Sequence, residues 1–380
     1  MAHTGQGTVE CDEEFLRSYL PIRRPSSARQ EKPALTMHAY FQAIEKFLTE
    51  NLDKLIETAT VLRGPHFSAI DAIKILAEKH GSDYHPARVL IQHGGEVIPL
   101  AVNVSVTERG HERIVSECSA LAYLAETFST RFIPQFFFYG HQSLCSEEAL
   151  NSPVRMFVAE WFEGFHEFHL GANREGETVQ AFLWDPQIRD TLLSRKELSE
   201  VYRQAAYILT YYYDAFSYSE IFPWHHAAGD FVVSRQADHI EVRLITVRQY
   251  APRMVLRDNS QDCQLTALLM FLLNLTLRMR LDRDCGLGKI IWGPEQAVKD
   301  TILGFAQALR DQVDEGRMEP PFLQKLTGFL NSIPPDELTR SFLALIDSYN
   351  PMAPDVPVIK TNMEQHILSV FKVLTTLRLT

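Results

Sequence analysis

Between residues 37 and 62, Phe41, Ile44, Phe47, Leu48, Leu52, Leu55 and Ile56 recur mostly at three- and four-residue steps. That spacing predicts an amphipathic helix whose apolar stripe must dock on a core. A short helix is expected over 68–78. The period then shortens: Arg88-Val89-Leu90-Ile91, a Gly94-Gly95 pair and the run VIPLAVNVSV over 97–106 read as two strands around a tight turn, a β-hairpin. From His111 to Phe128, Ile114, Leu121, Leu124 and Ala125 share one helical face, and strand-like runs return at 135–139 and 155–162. Hairpin, helix and two further strands predict a small, mostly antiparallel sheet with one helix packed on it.

After Gly164 helical periodicity dominates, over 199–216, 262–281, 296–314, 321–331, 335–349 and 364–377, interrupted by short strands at 231–233 and 241–246. The first 35 residues are polar, with Pro21, Arg23, Arg24, Pro25, Ser26 and Ser27 close together, and read as a loosely ordered arm. The expected division is therefore an arm and amphipathic helix over 1–62, a small β-rich part over 63–162 and a helical part over 163–380. The most apolar stretch, LTALLMFLLNLTLRMRL at 265–281, contains Asn274, Arg278 and Arg280 and is short for a bilayer span, so a buried helix is expected there.

Composition narrows the partners. Hydrophobic residues make up 46% of the chain and aromatics 11%, ample for a core, while a formal charge of −11 argues against duplex nucleic acid. A small anionic ligand in a local basic pocket stays open. Five scattered cysteines without a C-x-x-C pair fit a reducing cytoplasm, and the first residues lack the basic start and apolar core of a signal peptide. The G-x-S-x-G, H-E-x-x-H, P-loop and Rossmann patterns are absent from the sequence, which disfavours the enzyme classes built on them.

Ionisable groups concentrate in IFPWHHAAGDFVVSRQADHIEVRLITVRQY, residues 221–250. His225, His226 and Asp230 are joined by the small Ala227-Ala228-Gly229 spacer, which suits a tight loop projecting them together. One histidine of the pair can act as a base near neutral pH or ligate a metal with Asp230; the other reading is that the pair and Trp224 pack the loop.

The order of elements, with AAGDFVV at 227–233 and LITVRQY at 244–250, resembles the aminoglycoside and choline phosphotransferase family of kinase-like proteins over roughly residues 65–350. The resemblance implies an α+β, two-lobed protein-kinase-like fold, with a small antiparallel β lobe carrying one helix and a larger helical lobe. It places Asp230 at a metal-ligating position, where Mg²⁺ prefers hard oxygen ligands. His225 falls at the catalytic aspartate, Thr246 at the second metal-binding aspartate, Asn103 at the phosphate-pairing lysine and Glu117 at that lysine's helix partner. Lys79, His80, His85 and Arg88 lie where such proteins cover nucleotide phosphates. Arg88 or Lys79 can substitute for the missing lysine, and Arg248 can place a cation where the family has metal; the alternative is structural ion pairing of Arg88 and Arg248, with Glu117 a candidate partner for Arg248. Backbone near Trp161 to Glu163 falls at the hinge that meets an adenine-like ring. His166 and His169, with Glu163 or Glu167, form a second metal candidate.

The resemblance thus implies ATP or a related nucleotide, with Mg²⁺ a further candidate, bound in an inter-lobe cleft, and weak or altered phosphotransfer, because three main catalytic positions depart from the family. Two rival expectations stand beside it: an inactive pseudokinase that engages a protein partner through residues 1–62, and a His/Asp metal-dependent hydrolase on an unrelated α/β fold.

Overall fold

The structure, a computed structural model, describes residues 2–4, 7–9, 11–21, 35–78, 84–145, 150–172, 179–184, 191–225, 229–237, 239–254, 258, 260–286 and 288–379. Its contacts divide the chain into two units, Met1–Glu163 and Gly164–Thr380. It is a mixed fold of antiparallel sheets and helices.

The first unit is built around strands β1 (Ala72–Ala77), β2 (His85–His93), β3 (Glu96–Ser105), β4 (Phe136–Cys145) and β5 (Leu150–Glu160). They lie in the order β1-β2-β3-β5-β4, all antiparallel, and the short strands Ala2–Thr4 and Gly7–Val9 extend the β1 edge. The expected hairpin is β2-β3, turning at Gly94 (φ 58) and Gly95 (φ 88), two positive values that glycine adopts without Cβ strain. The short helix expected over 68–78 is instead β1. Its Ile73 and Ile75 pack toward the sheet core, and pairing with β2 outweighs the local helical pattern.

Alternation assigns the two sheet faces. Ala87, Val89 and Ile91 of β2, Leu100, Val102 and Val104 of β3, and Met156 and Val158 of β5 form one core with helix α1 (Met37–Glu50). That helix buries Tyr40, Ile44, Phe47 and Leu48 almost completely, at roughly 1.5–3 kcal/mol per large side chain. The Tyr40 hydroxyl donates to the His85 carbonyl at 3.1 Å, so the one polar atom in the stripe is satisfied. Helix α2 (Leu52–Arg63) follows after Asn51 and adds Leu55 and Ala59 to the same core. The apolar stripe of 37–62 is therefore spent inside the first unit. The opposite face carries the rows Arg88–Ala101–Ala159 and Pro86–Asn103–Phe157, which are cross-strand neighbours. Helix α3 (Glu108–Thr127), between β3 and β4 in sequence, packs on β3, β4 and β5.

The second unit is less purely helical than its periodicity predicts. Strands β6 (His166–Ala172) and β7 (Val179–Trp184) join β8 (Phe231–Gln236) and β9 (His239–Leu244) in a sheet of order β7-β6-β8-β9, with the short Thr191–Leu192 strand beyond β7. In β6 the apolar Phe168 and Leu170 alternate with His and Glu, a mixed pattern that hides a strand. Helix α4 (Arg195–Tyr211) starts with a capping box, Ser194 and Glu197 each bonding the other's backbone. Its Gln204 donates to the Ile240 carbonyl (2.7 Å) and accepts from the Val242 amide (2.9 Å), which fixes the outer strand β9.

Helix α5 (Gln261–Arg278) is buried nearly all round, from Leu265 to Leu277, as its uniform apolarity requires. No helix of the described residues is long and apolar enough to cross a membrane. Helices α6 (Gln296–Asp314), α7 (Pro320–Ser332), α8 (Pro335–Asp347) and α9 (Val356–Leu374) complete the unit.

Helices α4 and α6 meet backbone to backbone at Gly304. A Cβ there would run into the Arg203 carbonyl and stand 3.0 Å from the Tyr207 nitrogen. Gly304→Ala gains about 1 kcal/mol of helix propensity but overpacks a contact that no side-chain rotation relieves, costing about 1–3 kcal/mol or more. A lowered urea midpoint is expected. A raised one would mean that the helices are not this close.

Candidate functional site

The expected pairing of the two short strands forms as the β8-β9 hairpin. Phe231 pairs with Leu244, and the ladder runs one step further, the Ile245 amide donating to the Asp230 carbonyl at 2.8 Å. Asp230 therefore sits at the strand mouth beside Ile245, with the half-buried Thr246 next in the chain.

The Asp230 side chain is only 3% exposed. Arg248 donates to it through both terminal nitrogens, Nη1 to Oδ2 at 2.6 Å and Nη2 to Oδ1 at 2.7 Å, and the His225 amide donates to Oδ2 at 2.7 Å. A further bond runs from Arg248 Nη1 to the Pro223 carbonyl at 3.1 Å. This is the bidentate fork that matches guanidinium to carboxylate. Asp230 and Arg248, expected as a metal ligand and a separate phosphate-neutralising cation, form one ion pair. Glu117, the candidate partner expected for Arg248, lies buried on α3 in the first unit.

A divalent ion does not fit this arrangement. It would need the lone pairs that Arg248 and the His225 amide hold, and it would stand beside a fixed positive charge. Among the described residues no group of three or more His, Cys, Asp or Glu is placed to hold a metal.

Trp224 is fully buried and meets Phe231 edge-on, with ring centroids 6.3 Å apart. It is the packing half of the loop. The His225 side chain reaches solvent. Burial lowers its pKa, Asp230 opposes that shift, and Arg278 and Arg248 add to it. His226 lies outside the described residues.

Behind the loop, a Cβ on Gly229 (φ +85) would stand 3.0 Å from Glu167 Oε1. Glu167 also meets His169, Oε2 to Nε2 at 3.2 Å, along one face of β6. His166 is three residues from His169 on the same strand and so faces the other way, which separates the proposed histidine pair.

In the first unit, Arg88 forms an ion pair with Glu78 (3.0 Å) and lies over the Trp161 ring at 5.3 Å. Asn103 shares its sheet face with Arg88, as the registers above require. On α3, burial pushes the Cys118 thiol up to about 12, which leaves it unreactive. His85 is buried at the start of β2, Glu163 is exposed at the end of the unit, and Lys79 and His80 lie outside the described residues.

A second charged cluster in the Gly164–Thr380 unit has no counterpart in the sequence reading. Phe222 is flanked by Arg253, 3.9 Å from guanidinium carbon to ring centroid, and by Arg278 at 5.5 Å. Arg278 also lies over Tyr349 at 5.2 Å, whose hydroxyl donates to Asn274 at 2.7 Å. The carboxylates nearby are Glu220, 3.4 Å from Arg253, and Asp355, 3.8 Å from Arg278. Burial pushes Glu220 up to about 7, against the pull of Arg253 and Arg278. The one sequence signal was an arginine at the end of an otherwise apolar helix.

No family model and no curated protein matches the chain. Among solved structures, a kinase domain aligns over 81% of this chain and 87% of its own, at 9% identity and a TM-score of 0.29.

Proposed function

We propose that this chain is a kinase-like protein that binds ATP or a related nucleotide, or another phosphorylated small molecule, and transfers phosphoryl groups weakly or not at all. The observation that carries the proposal is the first unit's sheet: its strand order, with α3 between β3 and β4 in sequence, leaves Arg88, Ala101 and Asn103 on the face opposite α1, which supports a kinase-like reading. Arg88 over the Trp161 ring then supplies a cation on an aromatic face, in place of the lysine that Asn103 replaces. Glu117, buried on the helix that follows β3, is the acidic partner in this reading.

The Asp230–Arg248 clamp supports weak transfer. Phosphoryl transfer relies on metal and a carboxylate oriented at the nucleophile, and here a guanidinium takes the carboxylate while His225 stands at the catalytic position; each such loss costs on the order of 10²-fold or more. The same clamp favours the second reading, a catalytically inactive binding module.

Thermal shift with ATP tests both. Ligand at about 100 times its Kd stabilises the native state by about 2.7 kcal/mol, and the expected shift is equal in Mg²⁺ and in EDTA and smaller for Arg88→Ala. Absence of any shift with ATP, ADP or adenosine would overturn nucleotide binding. Rapid Mg²⁺-dependent turnover would overturn the account of the clamp.

A further inference from the structure

The arginines of the second unit are not equally committed. Arg248 holds Asp230 at 2.6 and 2.7 Å, the length of full charge-assisted hydrogen bonds. Arg253 approaches Glu220 only to 3.4 Å, and Arg278 approaches Asp355 only to 3.8 Å, both beyond that length. Arg278 Nε has no hydrogen-bond partner among the described residues. A guanidinium carries five N–H donors in a fixed fork, so each of these two has donors to spare.

Their positions are set by more than charge. The Phe222 ring meets both Arg253 and Arg278, and Arg278 lies over the Tyr349 ring as well. Arg253 and Arg278 keep 24% and 15% of their side chains exposed, so they are rigidly held yet reachable from solvent. His225 lies three residues beyond Phe222, within reach of the charges of Arg278 and Asp355.

We infer that Arg253 and Arg278, held around Phe222 beside His225, form a subsite for a phosphate or phosphate monoester group of the substrate. The inference rests on the kinase-like reading for the word substrate, and it narrows the acceptor to an anionic small molecule. Planar forks with unspent donors favour a multi-oxygen anion over a neutral hydroxyl, because a phosphate oxygen can replace the long carboxylate contacts with bonds of normal length. Carboxylates Glu220 and Asp355 then serve to keep the arginines in place when the subsite is empty.

The test is a calorimetric titration of the full chain with inorganic phosphate at constant ionic strength, without nucleotide. Saturable binding is expected, weakened about tenfold to a hundredfold by Arg253→Gln or Arg278→Gln and unchanged by Arg340→Gln, whose side chain is 68% exposed on α8. Circular dichroism confirms folding, and Arg278→Lys, which keeps the charge but loses the fork, is expected to bind with intermediate affinity. No saturable phosphate binding by the wild type, or wild-type affinity in both glutamine variants, overturns the subsite. Adenosine carries no phosphate and reports on the nucleotide reading alone: phosphate binding that depends on Arg253 and Arg278 in a protein that ignores adenosine keeps the subsite and removes the nucleotide, while the reverse pattern removes the subsite.

Discussion

Arg248→Ala is expected to destabilise the protein by about 3–5 kcal/mol, the range for stranding one member of a buried ion pair. The loss should exceed that of Asp230→Ala. Asp230 is 3% exposed and Arg248 21%, so removing the arginine leaves a carboxylate that water cannot reach, whereas removing the aspartate leaves a guanidinium that can turn outward and still bond the Pro223 carbonyl. Asp230→Ala also takes the acceptor from the His225 amide, so its cost remains measurable. Replacing both residues by apolar ones of similar volume should recover much of the loss, since such swaps are often neutral. Urea denaturation of the two single variants and the double variant reads all three values. A loss below about 1 kcal/mol for Arg248→Ala would place the pair among weak surface contacts and reopen Asp230 to metal.

The second large effect is acid sensitivity set by His366. This side chain is fully buried, with Nε2 3.2 Å from the Thr276 hydroxyl and the rings of Trp292 and Phe342 at 5.5 and 5.3 Å. Burial, with a smaller push from Arg280, lowers its pKa to about 3. Because the folded value lies below the unfolded value near 6.5, the unfolded chain binds the proton first. The contribution is therefore complete above about pH 6.5 and lost as pH falls toward 3, at up to about 1.4 kcal/mol per pH unit.

Two buried acids act in the opposite sense. Glu220 and Asp282 are both pushed up to about 7 by burial, so their contribution is largest below the unfolded carboxylate range and is lost as pH rises through 7. Comparing His366→Leu with the wild type across pH 3–7.5 isolates the histidine. The variant should lack the acid-side slope, and parallel stability curves for the two proteins would show that His366 is already protonated or exposed in the fold.

Much of the local architecture was legible in the residues. The Gly94-Gly95 pair with apolar runs on both sides defined the β2-β3 hairpin, and the 3.6-residue stripe of α1 and the apolar length of α5 each had one physical outcome, burial. The pairing of β8 with β9, and hence the meeting of Asp230 with Ile245 and Thr246, also followed from two short apolar strands separated by a polar turn. Strands β1 and β6 were not legible. Ile73, Ile75, Phe168 and Leu170 gave too short a pattern to distinguish strand from helix or loop, and pairing with β2 in one case and with β8, distant in sequence, in the other decided the matter.

The chemistry of the loop separates the two levels more sharply. The sequence by itself determined that Asp230 stands at a strand mouth, because hydrophobic alternation acts over a few residues. It could not determine whether that carboxylate faces a metal or a guanidinium, since Arg248 is 18 residues away and only the hairpin register brings its fork onto Asp230. The grouping of Phe222, Arg253 and Arg278 likewise belongs to tertiary structure alone: it draws on a loop, the end of a short strand and the last turn of a buried helix, and no periodicity in the chain relates positions that meet only when three elements pack.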